Sequence, residues 1–256
     1  KDIKELDDVC GEIIEDAKRD GAAVIVISEY GITDVNRPVH INRALRRAGL
    51  IAVREEVGTE QLDPGASEAF AVADHQIAHI HVRNPARIAE VRALIEGLDG
   101  VERVLGADEK PAWGLDHARA GDLVAISEAD SWFTYYHFLD DDRAPDFART
   151  VEIHRKPGYD PVELFFDPKF KNPKVAAGLR LVKRKLGFRQ LMDLTPLDAT
   201  LVKGSHGRIT DDPQDGPIFI SSEADRIPQG EIAATAVKGL ILDHVFASAG
   251  KASHAA

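Results

Sequence analysis

With 256 residues, a formal net charge of -11 and 44% hydrophobic residues, the chain is long enough for one large domain or two small ones, each burying a core. The acidic balance excludes a nucleic-acid coat, which needs an excess of Lys and Arg. A single cysteine, Cys10, excludes an internal disulfide framework, and no apolar run reaches the ~18 residues of a transmembrane helix.

The chain opens at Lys1 without Met, directly in a helical pattern, so it is expected to be a fragment or a processed piece. Ile3, Leu6, Cys10, Ile13 and Ala17 recur at three and four residues and predict a helix with one apolar stripe, stopped by Gly21. Ala22 to Ile27 is a continuous apolar run and predicts a strand buried on both faces of a parallel sheet. It ends in Ser28-Glu29-Tyr30-Gly31. Ligands of open α/β sheets sit outside the carboxyl ends of strands, so chemistry is expected there.

A helix is predicted from about Asn42 to Ala48, with strands over 69–73 and 77–82 flanking Asp74-His75-Gln76. Pro85 to Leu98 reads as a helix, and Val101 to Leu105 and Asp122 to Ser127 as strands. The stretch of about 76–127 forms a candidate α+β subdomain. His79 and His81 alternate along a strand and read as one polar sheet face. Residues 132–190 read as an irregular insertion, rich first in aromatics and proline, then in Lys and Arg. Between Lys169 and Arg189 there are eight basic residues and no acid, a solvated face or a surface for anionic lipid or a polyanion. Phe219 lies in a strand over 217–221, and a last helix runs from Ile232 to about Phe246. Helices alternating with short strands make the fold class α/β.

Ten histidines direct attention to metal chemistry. Glu29, Asp74, His75, His206 and His40 stand at predicted strand ends and turns, where a carboxylate with imidazoles suits Zn²⁺, and carboxylate-rich sets suit Mn²⁺ or Mg²⁺. For Asp74 and His75 a turn cap and a solvated ring are the plain alternative. The P-loop, dinucleotide-binding and nucleophile-elbow patterns are all missing from the sequence.

Ser28-Glu29-Tyr30-Gly31-Ile32, then Pro38 to Leu45, and later Gly204-Ser205-His206-Gly207-Arg208 followed by Pro217 to Ile220, occur in an order that resembles the C-terminal half of the alkaline phosphatase superfamily, in its type I phosphodiesterase/nucleotide pyrophosphatase branch. Gly121 to Val124 continues the likeness, which covers most of residues 2–245. It implies an α/β/α sandwich over residues 1–256 and metal-dependent hydrolysis of phosphodiester or pyrophosphate bonds in a small-molecule substrate. A phosphomutase or sulfatase relative on the same scaffold and a non-catalytic binding module are the alternatives. In that branch the first passage is Ser-Asp-His-Gly-Met, so Glu29 stands for the metal-binding Asp, and Tyr30 replaces the His. His206 stands for the metal-binding His of the second passage. Two outcomes follow for the His lost at Tyr30: either the second metal is lost and Tyr30 donates a hydrogen bond to the substrate phosphate, or another side chain, His75 first and His40 in reserve, restores the ligand set. From the residue types alone, Arg155 and Lys156 are candidate phosphate contacts, with a plain surface loop as the alternative. No residue matches the branch's Thr or Ser nucleophile, which implies an upstream half as partner. Glu29 and His206 are expected at neighbouring strand ends. With one free cysteine and no signal segment read, the cytoplasm is the expected location.

Overall fold

The computed structural model describes residues 1–150 and 161–251, the last five as backbone. In chain order it contains α1 (Asp2–Arg19), β1 (Ile25–Ile27), β2 (Thr33–Asp34), β3 (Arg37–Val39), α2 (Ile41–Arg47), β4 (Val53–Glu56), β5 (Thr59–Leu62), β6 (Ala69–Asp74) and β7 (Ile77–Val82). There follow α3 (Ile88–Glu96), β8 (Val101–Leu105), β9 (Leu123–Ser127), β10 (Ser131–Phe133), α4 (Pro173–Lys185), β11 (Gly204–Ser205), β12 (Phe219–Ser221) and α5 (Val237–Lys251). Helices and strands alternate as an α/β chain requires. The chain divides into two units, Ile32–Ile209 and a unit made of Lys1–Gly31 with the segment from Thr210 onward.

In the smaller unit, β1 pairs antiparallel with β12, Ile25 opposite Ser221 and Ile27 opposite Phe219. This corrects the expectation of a doubly buried parallel strand: Val26 and Ile27 are exposed. An apolar run specifies a strand but not its neighbour's direction. Gly31 is required by close approach, because a Cβ there would lie 1.8 Å from the Asp215 carbonyl oxygen. α1 carries its predicted stripe, with Ile3, Leu6, Val9 and Ile13 all exposed.

The larger unit is organised by a four-stranded antiparallel sheet in the order β6-β7-β9-β8. Its alternating side chains separate two faces. Ala71, Ala78, Ile80, Leu123 and Ala125 meet Ile41 and Leu45 of α2 and Val91 and Ile95 of α3. Leu105, Val124 and Ile126 form a smaller cluster with Trp113 and Leu115. His79 and His81 lie on the half-exposed side of β7, where the His79 ring accepts from Gly121 N at 3.2 Å. A Cβ on Gly121 would stand 2.6 Å from Ile80 N and O, so the chain can re-enter the sheet at β9 only through glycine.

Beyond β10 the aromatics expected in a functional loop are instead a second core. Trp132, Tyr136 and Phe138 are fully buried with Val162, Leu197 and Val202. Large rings bury enough apolar area to organise a segment poor in regular structure. Within residues 169–189, α4 is a regular helix. It is capped by Asn172 Oδ1, which accepts from Val175 N at 3.2 Å, and begins on Pro173.

Candidate functional site

The β6–β7 hairpin turns through His75 and Gln76, with Asp74 opposite Ile77. His75 has φ 58°, in the left-handed region that side chains other than glycine enter at a cost of about 1–2 kcal/mol. The surroundings hold it there. Phe133 N donates to His75 O at 2.7 Å, Gln76 N donates to His206 O at 2.9 Å, and Ser127 N donates to Gln76 O at 3.0 Å. The Gln76 side chain, only 2% exposed, donates to Ala129 O and Ser131 O, both at 3.1 Å. Backbone strain maintained by this many bonds is typical of functional turns.

Against this turn sits the Gly204–Gly207 segment. Ser205 pairs with Thr33 across β11 and β2, and Gly207, at φ 111°, passes close to Gln76 N and Asp74 O. The result places the rings of His75 and His206 4.1 Å apart, centroid to centroid, and tilted by 40°. His75 Nε2 lies 3.6 Å from Asp74 Oδ1. Burial lowers the His75 pKa and the Asp74 charge opposes it, so the imidazole is neutral at pH 7 and can accept a proton or ligate. Gln76 was not foreseen from sequence: a polar residue in a predicted turn gives no sign that it will be buried. Ser205 Oγ is also buried, with no hydrogen-bond partner among the described residues.

His40 occupies a different place in the same unit. It lines a cavity of about 500 Å³ with Arg43, Asp141, Arg149, Asp167 and Asp198. Its Nδ1 lies 2.7 Å from Thr134 Oγ1, and its ring stacks on Tyr136. Arg43 Nε donates to Phe138 O at 2.8 Å, and its guanidinium lies over the Tyr136 and Phe138 rings while pairing with Asp141. Guanidinium groups and carboxylates sharing one cavity can grip an anionic group and hydroxyls at once.

Burial lowers the His40 pKa from 6.5 to about 4, with nearby Arg43 adding to the effect and Asp141 opposing it. The folded protein therefore keeps His40 neutral while the unfolded chain takes up the proton near pH 6.5. The stability His40 contributes is complete above pH 6.5 and is expected to fall as the pH drops towards 4. An NMR titration of the His40 ring checks this, and a midpoint at or above 6.5 would refute it.

Glu29 and Tyr30 lie in the other unit, where Ser28 N donates to Ile218 O and Ile218 N donates to Ser28 Oγ. Arg155 and Lys156 lie outside the described residues. Among the described residues no three His, Cys, Asp or Glu side chains gather into a group that could hold a metal ion. The pair His75–His206 with Asp74 therefore does not by itself fit the divalent metal that the resemblance implies.

Compared with known proteins, residues 1–160 match the family model of type I phosphodiesterase / nucleotide pyrophosphatase. No curated protein sequence matches. Among solved structures, a phosphonoacetate hydrolase from Sinorhizobium meliloti 1021, in complex with phosphonoformate, is 16% identical over 90% of this chain and 43% of its own, with a TM-score of 0.46. A murine ectonucleotide pyrophosphatase / phosphodiesterase 5 is 19% identical over 54% of this chain and 34% of its own, with a TM-score of 0.37. The chain thus spans less than half the length of these structures.

Proposed function

The chain belongs to the type I phosphodiesterase / nucleotide pyrophosphatase family, and from that premise we propose that it serves the hydrolysis of phosphodiester or pyrophosphate bonds in a small-molecule substrate. The family match over residues 1–160 carries the proposal. It is supported by the strained His75 turn packed on the His206 turn, at the position where the family pattern places a functional His. In this reading neutral His75 accepts a proton or a ligand, and His206 shares the site. Arg43 and Arg149, which line the separate His40 cavity, are the candidate cations for the anionic ester. Divalent metal, Zn²⁺ first and Mn²⁺ or Mg²⁺ next, is the proposed cofactor, with ligands beyond the described pair.

A binding module without turnover is the second reading. It is favoured by Tyr30 in the family's His position and by the lack of a three-ligand group among the described residues. Hydrolysis of an aryl phosphodiester with Zn²⁺ or Mn²⁺ added separates the two. The native protein is expected to turn over the diester at least about 10-fold faster than an aryl phosphomonoester or sulfate. The 256-residue chain alone is expected to be nearly inactive, because none of its residues matches the family's nucleophile. Binding of a non-hydrolysable nucleotide without any diester turnover by the native protein would establish the module instead.

A further inference from the structure

We propose that α4 is an interfacial anchor, lying flat on an anionic lipid surface. The inference is independent of the hydrolase reading.

Val175, Leu179, Val182 and Leu186 recur at intervals of four, three and four residues, and all are more than half exposed, Leu186 at 70%. At 100° per residue they form one stripe about 60° wide. The first turns hold the helix to its unit away from this stripe: Ala176, Ala177 and Arg180 are half-buried, and the Arg180 guanidinium pairs with Asp193 and lies 4.9 Å over the Phe170 ring, while Leu181, outside the stripe, is also exposed. The apolar stripe therefore faces away from the body that carries it.

Lys183 flanks the stripe on one side and Lys185 on the other, at roughly 70° and 90° from its centre. Long lysine stems can run beside an apolar stripe and keep their ammonium groups in water or among headgroups. Phe188 follows the Gly187 turn and is 65% exposed, extending the apolar edge. Helices of this kind bury their apolar face in the headgroup boundary, with basic residues meeting anionic lipid.

Charge selects this occupant. The chain carries -11 overall, yet residues 169–189 hold eight basic side chains and no acid. An anionic surface attracts this segment and repels the remainder, so the field itself orients the protein with α4 against the lipid. A polyanion would use the lysines but not the stripe. No helix among the described residues is long and apolar enough to cross a membrane, and α4, about 20 Å long, lies along the surface instead.

The test is co-sedimentation of the purified protein with vesicles of pure phosphatidylcholine and with vesicles containing about one third phosphatidylserine. Expected is binding at least about 10-fold stronger to the anionic vesicles, weakened by salt. Lys183→Ala and Lys185→Ala should each cost roughly fivefold. Leu179→Glu with Val182→Glu should abolish sedimentation while circular dichroism and the melting temperature stay unchanged. If that double variant misfolds, the lysine variants alone decide. The proposal is overturned by equal binding to neutral vesicles, by no binding, or by folded variants that sediment like the parent. It is also overturned by heparin binding that survives the Glu variants, or by a dimer in size-exclusion chromatography that the Glu variants dissociate.

Discussion

Replacing His206 with Ala is expected to lower the proposed phosphodiester hydrolysis on the order of 100-fold or more, with little loss of stability. The expectation rests on how the turn is built. Gln76 N bonds the His206 backbone oxygen, and Ser205 is held in register with Thr33, so neither tie uses the imidazole. Removing the ring deletes chemistry and leaves the turn in place. Groups around a ligand site typically cost 10–100-fold when lost, and a residue acting directly should cost at least that. His75→Ala is expected to act in the same direction, because its ring lies 4.1 Å from that of His206, centroid to centroid. The two losses should fall short of additive, since either change disrupts the same pair. Turnover and bound metal are the measurements. A His206→Ala protein with parental rate and metal content would remove this residue from the site.

Asn42→Ala is expected to destabilise the fold by roughly 2–5 kcal/mol, because it leaves two buried backbone groups without partners. Asn42 is 1% exposed and sits on α2, beside β6, the outer strand of the four-stranded sheet. Its Nδ2 donates to Ala71 O at 2.8 Å, and its Oδ1 accepts from Ala71 N at 2.8 Å. One side chain thus replaces the strand that the β6 edge lacks at that residue. Nδ2 also reaches Tyr135 O at 3.3 Å, tying the second core to the same point. Denaturant melts read the effect as a lowered midpoint. A change below about 0.5 kcal/mol, the usual size for a surface substitution, would show that water replaces both bonds.

What was legible in the sequence follows from the range of the forces involved. Helix periodicity and turn residues act within a few positions. They mark α1 over Asp2–Arg19 through its apolar spacing, α3 within the predicted Pro85–Leu98 segment, and the alternation of β7. They also locate the turn at His75-Gln76, whereas Gly204-Ser205, read as part of a turn, is strand β11, with His206 and Gly207 directly after it. Charge is additive, so the acid-free segment 169–189 was visible before its helix was. Partners are a different matter. Ala22 to Ile27 announces a strand, but only the tertiary structure pairs Ile25–Ile27 antiparallel with Phe219–Ser221 and leaves Val26 and Ile27 exposed. Trp132, Tyr136 and Phe138 read as loop aromatics until three-dimensional packing makes them a core. Asn42 and Gln76 carry no sequence signal at all, because a buried amide is distinguished from an exposed one only by the distant backbone groups it meets. The sequence by itself determined the local elements, the charge distribution and the turn at His75. Tertiary structure decided that the His75 and His206 rings meet while His40 lines a separate cavity, since the meeting depends on hydrogen bonds between segments more than a hundred residues apart.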